Sequence, residues 1–199
     1  MSLVIVDTGV ANLASVVFAF ERLDVNPLVS NVPAVIAAAE RVIIPGVGAA
    51  PLAMENIEAR GLKPVLQNLT QPVMGICLGM QLLFETLDEG GVVTDGLGLI
   101  PGLVSLLHTG TLPSPHMGWN TLQPIKSDPI LDGIDEADHA YFVHSYAAEV
   151  SGATLAYSSY GQHFSAIVRH KNVWGCQFHP ERSSATGARI LSNFLKVSA

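Results

Sequence analysis

The chain has little charge and few cysteines. Charged side chains make up only 14% of its 199 residues, whereas apolar residues make up 49%. This balance is typical of an α/β protein whose sheet is buried on both faces. The two cysteines, Cys77 and Cys176, are too few for a disulfide framework, which excludes the small secreted proteins that disulfides hold together.

Basic residues and long apolar runs are also scarce. The chain has 10 Lys and Arg residues against 17 Asp and Glu residues, a formal net charge of −7. Nucleic acids and anionic lipids bind clustered basic side chains, and the sequence has no such cluster. No apolar run approaches the ~20 residues of a membrane span, and the N-terminus lacks the basic region of a signal peptide. We therefore expect a cytoplasmic protein that binds neither nucleic acid nor membrane.

The first half of the chain alternates strand-like and helix-like segments. Strands are predicted at Leu3–Val6, Leu28–Ser30, Arg41–Ile44 and Pro72–Ile76. Helices are predicted at Asn12–Leu23, Ala34–Ala39, Pro51–Arg60, Lys63–Leu69 and Leu78–Leu87. Alternation of this kind favours a parallel sheet with right-handed crossovers.

The second half is richer in strands. They are predicted at Leu103–Leu107, Asn120–Ile125, Tyr141–His144, Ala153–Tyr157, Phe164–Arg169 and Val173–Phe178. A helix over Ala185–Lys196 closes the chain, and no repeat or linker interrupts it. Because domains usually have about 100–200 residues, we expect one α/β domain over 1–199, with a mixed, mostly parallel central sheet flanked by helices.

Cys77 stands between a predicted strand and a predicted helix, with Gly75 and Gly79 two residues away on either side. This Gly-x-Cys-x-Gly pattern is the thiol counterpart of the strained turn that presents the serine of α/β-hydrolases. The glycines leave room in a turn where side chains would collide, and a helix start favours the reactive thiolate. A lone cysteine is more often a small buried apolar residue, so the pattern indicates a nucleophile without establishing one.

A histidine and a carboxylate follow the last predicted strand, in the segment His179-Pro180-Glu181. In an extended segment residues i and i+2 project to the same side, so Glu181 can orient His179. A thiol nucleophile needs such a base with its orienting carboxylate. An ordinary surface turn is one alternative, and a metal site that also uses Cys176 is another. Zinc would need three or four ligands, so we expect no metal.

A glycine-rich segment, Pro45-Gly46-Val47-Gly48, follows the third predicted strand. Its glycines would let backbone N–H groups approach a ligand, as one side of an oxyanion hole does. An ordinary connection is equally compatible with it, as is a phosphate loop that lacks the usual Lys-Ser/Thr. By itself this segment does not decide between these roles.

Together and in this order, the three segments resemble the class I (triad) glutamine amidotransferases. The resemblance extends over essentially the whole chain and narrows to the glutaminase subunits of imidazole glycerol phosphate synthase, an enzyme of histidine biosynthesis. The segments that carry the closer match are Pro45–Gly48, Gly75–Phe84, Pro115–Asn120, Tyr141–Tyr146 and Gly175–Ser183. The Pro-His-Met-Gly-Trp-Asn sequence at 115–120 is the segment that other branches of the family lack.

The resemblance implies a flavodoxin-like three-layer fold and a reaction without a cofactor. Cys77 would attack the side-chain amide of L-glutamine, and His179, oriented by Glu181, would take the thiol proton and give it to the departing ammonia. Water would then hydrolyse the γ-glutamyl thioester. The residues that the resemblance assigns to the oxyanion are Val47 and Leu78, and those that it assigns to the ends of glutamine are Gly48, Gln81, Glu89, Ser145 and Tyr146.

The resemblance also implies a partner, a (β/α)₈-barrel cyclase subunit that forms a heterodimer with the chain and receives ammonia through a channel. The residues expected to face it are Asn12, Met117, Trp119, Asn120, Tyr141 and Arg182. An aromatic residue in a strand, however, more often lies in the core.

Three other functions stay open. The chain could feed ammonia to another synthase, which the 115–120 segment disfavours. It could be a non-catalytic regulator, which the complete Cys, His and Glu set disfavours. It could also be a thiol hydrolase on a related sheet, which Gln81 and Tyr146 disfavour.

Overall fold

Residues 1–198, which the computed structural model describes, fold into fourteen strands and six α-helices. The strands are β1 (Leu3–Val6), β2 (Leu28–Ser30), β3 (Arg41–Gly46), β4 (Val73–Cys77), β5 (Phe84–Glu89), β6 (Val92–Asp95), β7 (Ile100–Leu106), β8 (His116–Thr121), β9 (Gln123–Pro124), β10 (His139–His144), β11 (Tyr146–Ala148), β12 (Thr154–Tyr160), β13 (Gln162–His170) and β14 (Val173–Cys176). The helices are α1 (Leu13–Glu21), α2 (Pro33–Ala37), α3 (Ala50–Ala59), α4 (Lys63–Gln67), α5 (Leu78–Gln81) and α6 (Ser184–Phe194).

The central sheet has eight strands in the order β2-β1-β3-β4-β14-β13-β12-β9. The first five are parallel to one another, and the remaining three pairings are antiparallel. This confirms the predicted mixed, mostly parallel sheet. In parallel strands the carboxyl ends meet at one edge, so β3, β4 and β14 deliver their C-terminal residues to a common place.

Both faces of this sheet are covered, because successive side chains of a strand point to opposite sides. Ile5 and Ile43 pack with the buried residues of α1 and α6. Val4 and Val42 pack on the other face with those of α2, α3 and α4. The predicted three-layer α/β architecture is therefore confirmed.

Two smaller sheets carry the rest of the chain. One has four strands in the order β11-β7-β5-β6, and the other is an antiparallel ribbon of β8 and β10. The predicted strand over Asn120–Ile125 is wrong, because it is divided between β8 in the ribbon and β9 at the edge of the central sheet. The chain changes sheets at Leu122, whose side chain is buried.

The predicted helix over Leu78–Leu87 is also wrong, since α5 ends at Gln81 and β5 begins at Phe84. Apolar spacing alone cannot exclude a strand for such a short run. The signal that we missed is Gly90-Gly91, whose positive φ angles form the turn of the β5–β6 hairpin. Parallel pairing of β5 with β7 then holds the segment in the second sheet.

No helix within residues 1–198 has the length and apolar character needed to cross a membrane. Ala199, the last residue of the predicted 1–199 domain, lies outside the described residues.

Candidate active site

Cys77 lies on a sharp turn where β4 ends and α5 begins. Its φ angle of 54° is in the left-handed region, which side-chain-bearing residues adopt only when the surroundings impose it. A Cβ at Gly79 would lie 1.8 Å from the Ile44 carbonyl oxygen, and a Cβ at Gly75 would lie 2.5 Å from that of Gly79. The turn therefore closes only because both flanking residues are glycine.

His179 follows β14 and lies beside Cys77. Its Nδ1 donates to Glu181 Oε1 at 2.8 Å, and the Glu181 side chain is buried. Burial alone would lower the pKa of His179, but its hydrogen bonds to Cys77 and Glu181, and their negative charges, raise that pKa to about 10. The imidazolium is thus the favoured form of His179 while these two groups beside it carry negative charge.

The second cysteine has a different environment. Cys176 is fully buried in β14, and burial, with the charge of Glu181, raises the pKa of its thiol well above the usual range. A cysteine acts as nucleophile or metal ligand only as the thiolate. Within residues 1–198 the structure brings together no group of three His, Cys, Asp or Glu side chains that could hold a metal ion.

A cavity of about 300 Å³ opens at Cys77 and His179. All five residues predicted to hold glutamine line it, together with both predicted oxyanion residues. The lining residues are Val47, Gly48, Cys77, Leu78, Gln81, Glu89, Pro115, Val143, His144, Ser145, Tyr146 and His179. This volume is at the lower end for ligand sites and suits a small molecule such as an amino acid.

Two of the predicted glutamine-binding side chains are also tied to the protein. Glu89 Oε2 accepts the Ala50 N–H at 2.6 Å, which joins β5 to the start of α3. Gln81 Nε2 donates to the Tyr146 carbonyl at 2.9 Å and to Gln177 Oε1 at 3.0 Å. The amide nitrogen of Gln81 is therefore satisfied internally, and only its oxygen is left to accept a bond from a ligand.

The two predicted oxyanion donors are in different situations. Leu78 opens α5, so its N–H has no acceptor within the helix. The Val47 N–H instead donates to the Val10 carbonyl at 2.8 Å. In this conformation the Val47 N–H is thus not available to an oxyanion, and its predicted role requires that peptide group to rotate.

The residues predicted to face a partner lie mostly on the surface. Met117 and Trp119 are 62% and 52% exposed on one face of β8, and Trp119 packs edge-on against Tyr141 of β10 at 5.8 Å. Asn12, which caps α1, and Arg182 are exposed as well. Asn120 differs, because its half-buried side-chain amide is bonded to His116 and to the Ser159 carbonyl.

Sequence reasoning left two histidines without a role: His144, which lines this cavity, and His116, which is bonded to it. His116 and His144 are opposite each other in the β8–β10 ribbon and are only 2% and 6% exposed. Burial lowers the pKa of His116 to about 4. Burial, with the charges of His116 and His179, lowers that of His144 to about 3 despite its bond to Tyr146. Both belong to segments that carried the resemblance, but nothing in the sequence shows that they pair.

These lowered pKa values predict an acid-sensitive fold. Below the ordinary pKa of 6.5, both histidines are protonated in the unfolded chain, whereas their buried rings stay neutral in the folded protein. The free energy of unfolding therefore falls as the pH drops from 6.5 to 4, by about 1.4 kcal/mol per pH unit for each ring.

Urea unfolding at pH 7.5 and 5.0 measures this dependence. We expect His116→Asn to reduce the stability difference between the two pH values, and His108→Gln, at an exposed histidine, to leave it unchanged. If the stability difference between pH 7.5 and 5.0 were the same in the wild type and in His116→Asn, the lowered pKa of His116 would be contradicted.

Comparisons with known proteins agree with this geometry. The family model of class I glutamine amidotransferases matches residues 4–197. A relative from Idiomarina loihiensis named imidazole glycerol phosphate synthase subunit HisH is 50% identical over 198 residues, covering 100% of this chain and 99% of its own. A relative of the same name from Vibrio cholerae is 48% identical, covering 98% of each chain.

Solved structures show the same fold at low sequence identity. A glutamine amidotransferase superposes with a TM-score of 0.74 at 17% identity, with 97% of each chain covered. The glutaminase domain of Trypanosoma brucei CTPS gives a TM-score of 0.67 at 13% identity, covering 98% of this chain and 94% of its own. With the family match over nearly the whole chain, the finding is plain: the chain belongs to the class I glutamine amidotransferases.

Proposed function

We propose that this chain is the glutaminase subunit of imidazole glycerol phosphate synthase. It hydrolyses L-glutamine to glutamate and ammonia, which passes to a cyclase subunit in histidine biosynthesis. The observation that carries the proposal is one cavity lined by Cys77, by the Glu181-bound His179 and by every residue expected to hold glutamine. The names of relatives about half identical over their whole length support this acceptor rather than another.

The reaction follows from the arrangement of Cys77, His179 and Glu181. His179 takes the proton of the Cys77 thiol as the sulfur attacks the side-chain amide carbon of glutamine, and a tetrahedral intermediate forms. His179 gives a proton to the amide nitrogen, the carbon–nitrogen bond breaks, and ammonia leaves a γ-glutamyl thioester. Water, deprotonated by His179, hydrolyses the thioester and restores the thiol. Glu181 fixes the ring through Nδ1 and stabilises the imidazolium.

The position of Val47 predicts that the free chain is a slow glutaminase. Its N–H is bonded to Val10, so the oxyanion has the Leu78 N–H alone. One missing oxyanion donor costs about 10²–10³ in rate in comparable enzymes. Rotation of the Val47 peptide would complete the hole, and Val10 lies two residues before Asn12, which is among the residues expected to face the partner.

The proposed partner is a (β/α)₈-barrel cyclase that docks on the exposed face of the β8–β10 ribbon. Met117, Trp119 and Tyr141 form an apolar and aromatic surface there, of the kind found at the centre of protein interfaces. Arg182, exposed beside the triad, would add a charged contact. The cytoplasmic location expected from the sequence remains a prediction.

Glutaminase assays with and without the purified cyclase and its nucleotide substrate test the proposal. We expect weak activity alone and an increase of about 10² or more in the ternary mixture. Trp119→Ala should lower this activation, whereas Val93→Ala, at an exposed position on β6, should not. Strong glutamine hydrolysis that the cyclase does not change would indicate that the chain supplies ammonia to another synthase. No hydrolysis under any condition would refute the enzymatic function.

A further inference from the structure

A chain of hydrogen bonds, buried at its centre and part-buried at its two ends, runs from Asn120 to the wall of the cavity. His116 Nδ1 lies 2.9 Å from His144 Nε2, and His144 Nδ1 lies 2.9 Å from the Tyr146 carbonyl oxygen. At the other end, His116 Nε2 lies 3.3 Å from Asn120 Nδ2. The rings of Phe142 and Tyr160 stack on the two faces of the His116 ring, so water has little access to it.

The acceptors at the two ends fix the direction of this chain. A carbonyl oxygen only accepts, so the His144 Nδ1 carries the proton that Tyr146 receives. In a neutral ring His144 Nε2 is then an acceptor, and His116 Nδ1 must donate to it. His116 Nε2 is in turn an acceptor for the amide of Asn120.

The surroundings of Asn120 agree with this direction. Its Oδ1 accepts the Thr121 N–H at 2.8 Å, and its Nδ2 also donates to the Ser159 carbonyl at 2.9 Å. The amide orientation is therefore set by a donor on one side and an acceptor on the other. Every polar atom of the Asn120–His116–His144 chain has a partner with the required role.

The chain ends on a carbonyl that shapes the cavity. Tyr146 O receives both His144 Nδ1 and Gln81 Nε2, so donors from two separate elements hold it. Ser145 and Tyr146 line the same cavity as Cys77. We propose that Asn120, His116 and His144 are positioning residues that hold the Ser145–Tyr146 segment in place for glutamine, an inference that rests on the proposed function.

This role concerns substrate affinity more than chemistry. The bonds of His179 go to Cys77 and Glu181, and the Asn120–His116–His144 chain contributes none of them. His116 and Asn120 do not line the cavity. Their replacement should therefore raise the KM for glutamine and leave kcat nearly unchanged.

A matched pair of variants at His116 separates hydrogen bonding from packing. Asparagine can place its amide nitrogen near the Nδ1 position and still donate to His144, whereas leucine fills similar space without a donor. In the complex with the cyclase, we expect His116→Leu to raise the KM roughly tenfold and His116→Asn to restore it to within about threefold of the wild type. His108→Leu, at an exposed histidine, is the control.

The outcomes are distinct. An unchanged KM in His116→Leu, or an equal rise in both variants, would overturn the inference in favour of simple packing. If His116→Leu does not fold, Asn120→Asp decides in the same way when it is assayed in the free chain, where contacts with the cyclase play no part. Aspartate keeps the shape of asparagine but places a carboxylate, which cannot donate, against the His116 Nε2 acceptor. A wild type without glutaminase activity would instead refute the proposed function.

The tautomers provide a readout that does not depend on activity. Long-range ¹H–¹⁵N spectra of the free chain should show both His116 and His144 as neutral rings with the proton on Nδ1 at pH 7. A proton on Nε2 of either ring would reverse the chain and overturn the inference.

Discussion

Replacing Cys77 with alanine should abolish glutamine-dependent turnover, with a loss of kcat of about 10⁴ or more, while the complex with the cyclase still forms product from added ammonium salts. The reason is that the thioester has no other sulfur to form on. Cys176 is buried in β14, and its raised pKa keeps it a thiol. In the proposed complex the cyclase takes up ammonia and not glutamine, so an external supply of ammonia bypasses the missing nucleophile. Parallel assays with glutamine and with ammonium measure both activities.

Cys176→Ala is the matched control for this experiment. It removes the other thiol from the same sheet, and we expect it to keep glutamine-dependent activity within a few-fold of the wild type. Loss of both activities in Cys77→Ala would mean that the turn supports assembly as well as chemistry. Glutamine hydrolysis that survives in Cys77→Ala and disappears in Cys176→Ala would show that Cys176, and not Cys77, is the nucleophile.

Those parts of the site that depend on local geometry were predictable from the sequence. Gly75 and Gly79 indicate a turn in which no other residue fits, so the sequence alone predicted that Cys77 lies between a strand and a helix. The contact between His179 and Glu181 was also predicted, but from an extended segment, which is wrong, because Pro180–Arg182 forms a 3-10 helix that begins directly after His179. Sheet order, with β14 beside β4, then brings both segments to one edge, as parallel strands require.

Contacts between distant segments were not predictable in this way. The bond from the Val47 N–H to Val10 depends on how two loops meet, and neither loop has a side-chain pattern that reports it. The pairing of His116 with His144 depends on the register of the β8–β10 ribbon, which alternation alone does not fix. The helix predicted beyond Gln81 failed in part because pairing with β7 overrode local propensity, although Gly90-Gly91 was a local signal for the β5–β6 hairpin.

Gly79→Ala should be more damaging than the loss of the nucleophile, because it acts on the fold. The new methyl group would lie 1.8 Å from the Ile44 carbonyl oxygen and 3.2 Å from the Pro45 carbonyl carbon, and both are backbone atoms of β3. Relief requires that α5 move away from the sheet, which would displace Leu78 and Met80 from their buried positions. We expect a loss of more than about 3 kcal/mol in the free energy of unfolding, measured by urea denaturation.

The same movement would separate the Leu78 N–H and the Cys77 sulfur from His179, so any folded Gly79→Ala should also lack glutaminase activity. Gly152→Ala is the control, since no atom lies within 4 Å of a methyl group there and the backbone is not left-handed. It should leave stability within about 0.5 kcal/mol and activity unchanged. A Gly79→Ala variant with wild-type stability would show that β3 and α5 can separate without cost. The close approach of α5 to β3 would then serve only the catalytic turn at Cys77, and the packing of the sheet would not depend on it.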